Sequence, residues 1–178
     1  MRNLIAGLLL VCAAPPAQGR VQDIKTFSVS EPGVKTLNPG EFVWLPDLAP
    51  SGLMTIVVDL AAQRAHVYRN GTEIGFTTIS SGRRGYETPT GIFTILQKAK
   101  DHRSRKYNNA PMPYMQRLTW GGIALHGGRV PGHRASHGCV RLPMPFSKIL
   151  FGETSLGMTV VITDGDPSME AIAEQRAR

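Results

Sequence analysis

The stretch HGGRVPGHRASHGCVRLP, residues 126–143, contains three of the five histidines of the chain and one of its two cysteines. A thiol becomes a useful nucleophile when a nearby imidazole, itself oriented by a third group, helps to form the thiolate. His126 follows apolar residues and precedes two glycines, so we expect it at a strand end with room for a substrate. Cys139 follows Gly138 in a turn whose backbone N–H groups can converge on a developing oxyanion.

Two other interpretations use the same residues. His126, His133, His137 and Cys139 offer three imidazoles and a thiolate, which is a set of ligands that zinc accepts, although the spacing is not that of a common zinc finger. Alternatively, the histidines are satisfied by hydrogen bonds and Cys139 is simply buried, because free cysteine is among the most buried residue types. The residue types alone leave the nucleophile, the zinc site and the buried thiol open.

Upstream of this stretch the sequence is rich in strand signals. The chain has 19 glycines and 13 prolines, which favours a turn-rich, mainly β fold. Residues 53–82 are apolar and β-branched runs separated by polar breaks, and Asn70-Gly71 is typical of a two-residue hairpin turn. Residues 88–91 predict a turn, followed by a strand over 92–97.

The second half of the chain predicts shorter elements. We expect a polar loop over 99–113, and then two short strands within 114–128, the second ending at His126. The segment 143–152 predicts a short helix, with proline early and glycine at its end. Residues 157–164 predict a last buried strand.

The N-terminal segment has the pattern of a secretory signal peptide. One arginine precedes an apolar run and then small residues, and the run is too short to anchor stably in a bilayer. We therefore expect residues 1–19 to be removed on export. Residues 20–50 predict an extended arm whose Phe42, Val43 and Trp44 pack on the domain, and residues 166–178 predict a C-terminal tail. Cleavage would leave Cys139 as a single thiol in an oxidising compartment.

The chain is basic, with 20 Lys and Arg against 13 Asp and Glu and a net charge of +7. The positive residues are scattered, and no basic helix or run is present, so we do not expect a nucleic-acid partner. An anionic wall or membrane surface suits this charge.

The stretch 126–143 resembles the signature of the L,D-transpeptidases, the YkuD-like catalytic domain of bacterial envelopes. In that family a His-Gly, a variable loop and Ser-His-Gly-Cys-(hydrophobic)-Arg/Asn build the active site. TPTGIF and NAPMPYMQRLTW also resemble family segments, and the resemblance covers residues 53–163. The loop between His126 and Cys139 is shorter than in many members. The resemblance implies a catalytic domain over 51–165, folded as a β-sandwich of mixed sheets with one or two short helices.

The resemblance also implies roles for individual residues. Cys139 would be the nucleophile and His126 the general base, with the Gly127 carbonyl orienting its ring. The backbone N–H groups of His137, Gly138 and Cys139 would form the oxyanion hole. The substrate-binding residues would be Ser136, Arg141, Tyr114 and Trp120, with a structural role for Arg141 equally open; His133 has no counterpart. No metal or cofactor is implied.

The implied reaction is acyl transfer between peptidoglycan donor and acceptor stem peptides through a cysteine thioester, in the periplasm or cell envelope. The products would be 3–3 cross-links, 1–3 cross-links or proteins attached to the wall. Carbapenems are expected to acylate the cysteine. A hydrolase on the same scaffold and a non-catalytic wall-binding module are the alternatives.

Overall fold

The computed structural model describes residues 36–165, which form ten strands and one α-helix. The predicted signal peptide 1–19, the first part of the arm and the tail 166–178 lie outside these residues. The elements are β1 (Phe42–Trp44), β2 (Met54–Asp59), β3 (Arg64–Arg69), β4 (Thr72–Thr78), β5 (Gly91–Thr94), β6 (Gln97–Arg103), β7 (Pro111–Arg117), β8 (Ala124–Gly127), β9 (Val140–Leu142), α1 (Met144–Glu153) and β10 (Thr159–Thr163).

Six strands form the larger sheet, in the order β1-β4-β3-β2-β10-β5. The pair β2–β10 is parallel and the other pairs are antiparallel. β2 and β10 are both interior strands, and their sequences MTIVVD and TVVIT are almost continuously apolar or β-branched. Such nearly continuous apolar sequences are typical of strands that are buried on both faces of a sheet.

The predicted hairpin at Asn70-Gly71 joins β3 to β4. Asn70 has φ 50° and Gly71 has φ 80°. Two successive positive φ angles are the requirement of a type I′ turn, whose twist matches that of paired strands. The dipeptide therefore predicted both the position and the geometry of the turn.

Four strands form the smaller sheet, in the order β6-β7-β8-β9, with β8 and β9 parallel. The core lies between the two sheets and α1. Phe146 of α1 is fully buried at its centre, with ring centroids 5.4 Å from Phe42 and 6.0 Å from Trp44. Within residues 36–165 no helix is long and apolar enough to cross a membrane.

The observed architecture confirms the predicted fold class, a mainly β domain of mixed sheets with a short helix. The helix predicted over 143–152 is α1, and the last predicted strand is β10. Phe42 and Trp44, expected in an extended arm, pack against the core on the edge strand β1.

The strand predicted over 92–97 is wrong in one respect, because the chain changes sheet within it. β5 ends at Thr94 in the larger sheet and β6 begins at Gln97 in the smaller one. The backbone N–H of Ile95 donates to Met158, whereas that of Leu96 donates to Arg117 of β7. Both residues are apolar, so the composition carries no sign of this change of partner.

The polar loop predicted over 99–113 is also wrong. These residues form most of an antiparallel hairpin, β6 and β7, with its turn at 104–110. β6 reads QKAKDHR and has no fully buried residue. Because an exposed edge strand is held by backbone pairing rather than by an apolar face, the alternation that normally predicts a strand is missing.

The position of Phe146 gives a prediction about stability. Phe146→Ala removes a fully buried ring from the contact between α1 and the larger sheet, so the free energy of unfolding should fall by about 3–5 kcal/mol. Leu53→Ala is the control, since Leu53 is 86% exposed, and it should change stability by less than about 0.5 kcal/mol. Urea denaturation measures both; equal effects would contradict this account of the core.

Candidate active site

The parallel pairing of β8 and β9 brings the two predicted reactive side chains to one face of the smaller sheet. Leu125 pairs with Val140 and His126 pairs with Arg141. Leu125 and Val140 point into the core between the sheets. Since side chains alternate along a strand, His126, Cys139 and Arg141 point to the opposite face, where all three line one cleft.

The His126 ring is oriented by a backbone carbonyl. Its Nδ1 donates to Gly127 O at 2.9 Å, the contact expected from the sequence. A carbonyl only accepts hydrogen bonds, so the proton of the neutral ring lies on Nδ1 and Nε2 is the basic nitrogen. The pKa of His126 is lowered to about 4. Burial is the main cause, the charges of Arg141 and His102 act in the same direction, and the Gly127 contact acts against them.

Cys139 is a neutral thiol in this site. Its Sγ donates to Gly122 O at 3.3 Å. Burial raises the pKa of the thiol, while the backbone N–H of Ala124 and the charges of Arg141 and Arg117 act in the opposite direction. Both shifts favour thiol and imidazole over thiolate and imidazolium in the resting pair.

The segment Ile79–Gly82 holds the loop that carries Cys139. The backbone N–H groups of Ala135 and Ser136 both donate to Ser81 O at 3.0 Å, and Ser80 Oγ donates to His133 O at 2.8 Å. From the sequence, the Ser-Ser-Gly of this segment was expected to be only one of the polar breaks between strands. Its small residues let two backbones run side by side.

Thr88 ties the turn before β5 to the cysteine loop. Its buried hydroxyl accepts from Gly82 N at 2.9 Å and donates to Gly138 O at 2.8 Å. Gly138 has φ 110°, which a residue with a side chain rarely adopts, and a Cβ at Gly82 would lie 1.9 Å from Tyr86 O. The sequence predicted Thr88 only as part of a turn, so its positioning role was missed.

Ser136 shapes the loop from within. It is almost fully buried, its Oγ donates to Cys139 O at 2.5 Å, and it accepts from Gly138 N at 3.1 Å. The N–H of Gly138, one of the expected oxyanion donors, is therefore engaged inside the loop. No hydrogen bond within residues 36–165 uses the N–H of His137 or Cys139, so these two can serve an anion.

His137 lies in an aromatic cluster at the mouth of the cleft. Its ring centroid is 4.8 Å from that of Tyr86 and 4.6 Å from that of Tyr107, and Tyr107 Oη donates to His137 O at 3.4 Å. Partial desolvation and the charges of Arg83 and Arg141 lower the pKa of the ring. The cluster joins the β6–β7 turn to the cysteine loop.

The cleft has a volume of about 890 Å³. Trp120 lines it and is 75% exposed, with the Arg117 guanidinium 5.8 Å from its ring centroid. Tyr114, the other aromatic residue expected to contact substrate, does not line the cleft. Its φ of 55° turns the side chain towards α1, where its ring packs 5.8 Å from Phe151.

The four side chains considered as zinc ligands are not gathered. His133 is exposed and does not line the cleft, and the His137 ring packs between Tyr86 and Tyr107. Among residues 36–165 no group of three His, Cys, Asp or Glu side chains is placed to hold a metal ion.

Comparison with known proteins relates this geometry to one family. The model of the L,D-transpeptidase catalytic domain, YkuD, matches residues 54–162. No curated protein matches the sequence.

Several solved structures are similar to this chain. An L,D-transpeptidase from Stackebrandtia nassauensis has 32% identity and a TM-score of 0.57, covering 67% of this chain and 58% of its own. A mutant of an Enterococcus faecium L,D-transpeptidase has 27% identity and a TM-score of 0.56, covering 62% and 49%. L,D-transpeptidase 3 from Mycobacterium tuberculosis, solved with a faropenem-derived adduct, shares the fold at 20% identity and a TM-score of 0.57, covering 63% and 60%. The match therefore spans half to three fifths of those chains.

The Thr88 bridge predicts a loss of stability together with a looser cysteine loop. Thr88→Val keeps the shape but leaves the buried Gly82 N–H and Gly138 carbonyl unpaired, which should cost about 1–3 kcal/mol. Alkylation of Cys139 by iodoacetamide should accelerate at the same time. Thr90→Val is the control in the same turn, because Thr90 is exposed; if both variants behave alike, the bridge does not position the loop.

The buried His126 predicts a pH dependence of stability. In the folded protein the pKa of His126 is about 4, against 6.5 for a free imidazole. Between pH 4 and pH 6.5 the unfolded chain therefore binds more protons than the folded one. Stability should be complete above pH 6.5 and fall as the pH is lowered to about 4, by roughly 3 kcal/mol from this group. His126→Gln should flatten this slope in urea titrations, whereas His133→Gln, at an exposed site, should not. Parallel slopes in all three proteins would contradict the assignment.

Proposed function

Because the chain belongs to the L,D-transpeptidase catalytic-domain family, we propose that it is a cysteine-dependent acyltransferase acting on peptidoglycan stem peptides. One observation carries the proposal. The β8–β9 register places an oriented, neutral His126 and the thiol of Cys139 on the same face of one cleft. A thiol and a base in one cleft are the two groups that acyl transfer through a thioester requires.

In the acylation step, His126 Nε2 takes the proton of the Cys139 thiol and the thiolate attacks the carbonyl carbon that follows an L-centre of the donor stem. The negative charge on the carbonyl oxygen is held by the N–H groups of His137 and Cys139. The C–N bond then breaks, His126 returns its proton to the departing amine, and the terminal D-amino acid leaves. The acyl group remains on Sγ as a thioester.

In the second step, the amine of an acceptor stem attacks the thioester and gives a proton to His126. The C–S bond breaks and the thiolate recovers that proton, so the enzyme returns to its neutral resting state. The scheme uses no cofactor. Water in place of the amine would make the same site a hydrolase. The donor carbonyl that is attacked decides between 3–3 and 1–3 cross-links, and an amine of a protein as acceptor would attach that protein to the wall.

The remaining roles follow from the contacts. Thr88 and Ser136 are positioning residues, since their hydroxyl groups form hydrogen bonds with the backbone of the cysteine loop. Arg141, whose side chain has no ion pair within residues 36–165, binds a substrate carboxylate. The exposed Trp120 ring flanks the peptide at the rim.

We also propose that the enzyme works in the cell envelope, where its substrate is. The charged start, apolar run and small residues of 1–19 support export. N-terminal sequencing of protein from the envelope fraction checks this, with a mature start near residues 18–20 expected. An intact Met1 in the cytosol would contradict it.

The nucleophile is tested by mass spectrometry. Wild-type protein should gain the mass of one carbapenem and, with a donor stem, one acyl group, whereas Cys139→Ala should gain neither while keeping its fold. Cys139→Ser should be almost as inactive, because a hydroxyl is far less acidic than a thiol with a pKa of about 8.5. Covalent uptake by the alanine variant would exclude Cys139 as the nucleophile and favour a module that only binds the wall.

The role of His126 needs a matched control. His126→Gln should lower the rate of acylation by about 10²–10⁴-fold, the usual contribution of a positioned acid–base group. His133→Gln removes an imidazole from the same loop region at an exposed position and should leave the rate unchanged. Stopped-flow measurement of thioester formation compares the two, and similar rates in both variants would exclude His126 as the base.

A further inference from the structure

The cleft around Cys139 holds an unbalanced positive charge. No aspartate or glutamate of the described residues lines the cleft. Five basic side chains line it: Arg105, Lys106, Arg117, Arg129 and Arg141. None of the five takes part in the three ion pairs formed within residues 36–165. Like charges in one cleft repel one another over distances of about 10 Å, so this arrangement favours an anionic ligand that brings carboxylates with it.

The cations form two groups on opposite sides of β8. Arg117 lies on β7, opposite Ala124, and is held towards β6: its Nε donates to Gln97 Oε1 at 2.8 Å, and Nη2 is 3.5 Å from His102 Nε2. Arg105 and Lys106 lie on the β6–β7 turn, on the same hairpin. We call Arg117, Arg105 and Lys106 the hairpin-side cations.

The other group lies where β8 and β9 end. Arg141 pairs with His126 on the parallel strand, and its aliphatic stem lies against Gly128, whose Cβ would be 3.3 Å from Arg141 Cδ. Arg129 follows Gly128 directly. We call Arg141 and Arg129 the strand-end cations. Arg117 on β7 and Arg141 on β9 lie on opposite sides of β8, so two strand spacings of about 4.8 Å each separate their backbones.

The proposed reaction assigns a direction to the substrate. His126 must protonate the departing amine, and Arg141 is the neighbour of His126 in the sheet. The leaving D-amino acid and its terminal carboxylate therefore lie at the strand-end cations. With the leaving group on the β9 side of β8, the β7 side is left for the acyl portion. Arg117 lies there, with its guanidinium oriented by Gln97 and 5.8 Å from the Trp120 ring centroid.

We propose that Arg117 binds a second free carboxylate, on the acyl portion of the donor stem, so that the enzyme selects stems with this carboxylate over stems in which it is a carboxamide. The inference rests on the proposed function, since it uses the direction of the acyl transfer. A guanidinium fits a carboxylate with charge-assisted, bidentate hydrogen bonds, whereas a neutral carboxamide lacks the charge and presents an N–H₂ donor to another donor.

Matched synthetic donor tetrapeptides test the proposal. The free stem is compared with stems in which each carboxylate of the acyl portion is converted to a carboxamide, one at a time, and thioester formation on the full-length protein is followed by mass. For one of these carboxylates, amidation should lower kcat/KM of the wild type by about 10–100-fold, the range for a hydrogen bond to a charged group. Most of the loss should lie in KM.

The variants locate the effect. Arg117→Gln should lose activity on the free stem and no longer distinguish it from the carboxamide stem, and Arg117→Lys should keep part of the discrimination because it keeps the charge. Arg141→Gln should still distinguish the free stem from the stem whose acyl portion carries the carboxamide. Lys148→Gln is the charge-matched control, since Lys148 is exposed on α1 and does not line the cleft, and it should behave like the wild type. Thermal unfolding verifies that each variant is folded.

The outcomes separate the inference from the function on which it rests. Equal kcat/KM of the wild type on free and carboxamide stems, or full discrimination by Arg117→Gln, overturns the inference while thioester formation still supports an acyltransferase. If no stem acylates Cys139 in the wild type, the proposed function itself fails, and the inference falls with it.

Discussion

The site depends on the parallel pairing of two short strands, β8 and β9. The segment that connects them must leave the sheet and return to it. Parallel neighbours cannot be joined by a tight turn, and here the connection runs over 128–139 without a helix of its own. It is held instead by the backbone of Ile79–Gly82 and by the Thr88 hydroxyl. Fixing that connection fixes Cys139 relative to His126, so residues distant in sequence from the reactive pair set its geometry.

Burial has opposite effects on the two reactive groups, and both effects favour the uncharged forms. It raises the pKa of the Cys139 thiol and lowers that of the His126 imidazole, so proton transfer between them is unfavourable before substrate arrives. The charges of Arg117 and Arg141 oppose the first effect, and that of Arg141 also reinforces the second. These positive charges stabilise a thiolate, or the oxyanion that follows it, whereas a nearby positive charge destabilises an imidazolium. The thiolate therefore forms as it attacks the substrate carbonyl, because the negative charge can then move to the carbonyl oxygen.

How far the sequence predicted this structure depends on which interactions hold each part. The Asn70-Gly71 turn and helix α1 were predictable because the backbone preferences of asparagine, glycine and proline act within a few residues. The pair His126–Cys139 and the Gly127 contact were expected from resemblance to a family, not from spacing. Thr88 was missed because its hydroxyl pairs with a loop 50 residues away, and hydrogen bonds between distant loops leave no periodic signal.

The hairpin of β6 and β7 shows why specificity is harder to predict than chemistry. Its outer strand has no fully buried residue, so its sequence is free of the constraint that marks strands, and the same freedom lets it carry charge. Arg117 lies on β7 and the turn supplies Arg105, Lys106 and Tyr107 to the cleft. The well-patterned strands fix where the thiol and imidazole stand, whereas the weakly patterned hairpin faces the rest of the substrate. Changes in this hairpin can therefore alter which stem is accepted without disturbing the core that positions Cys139.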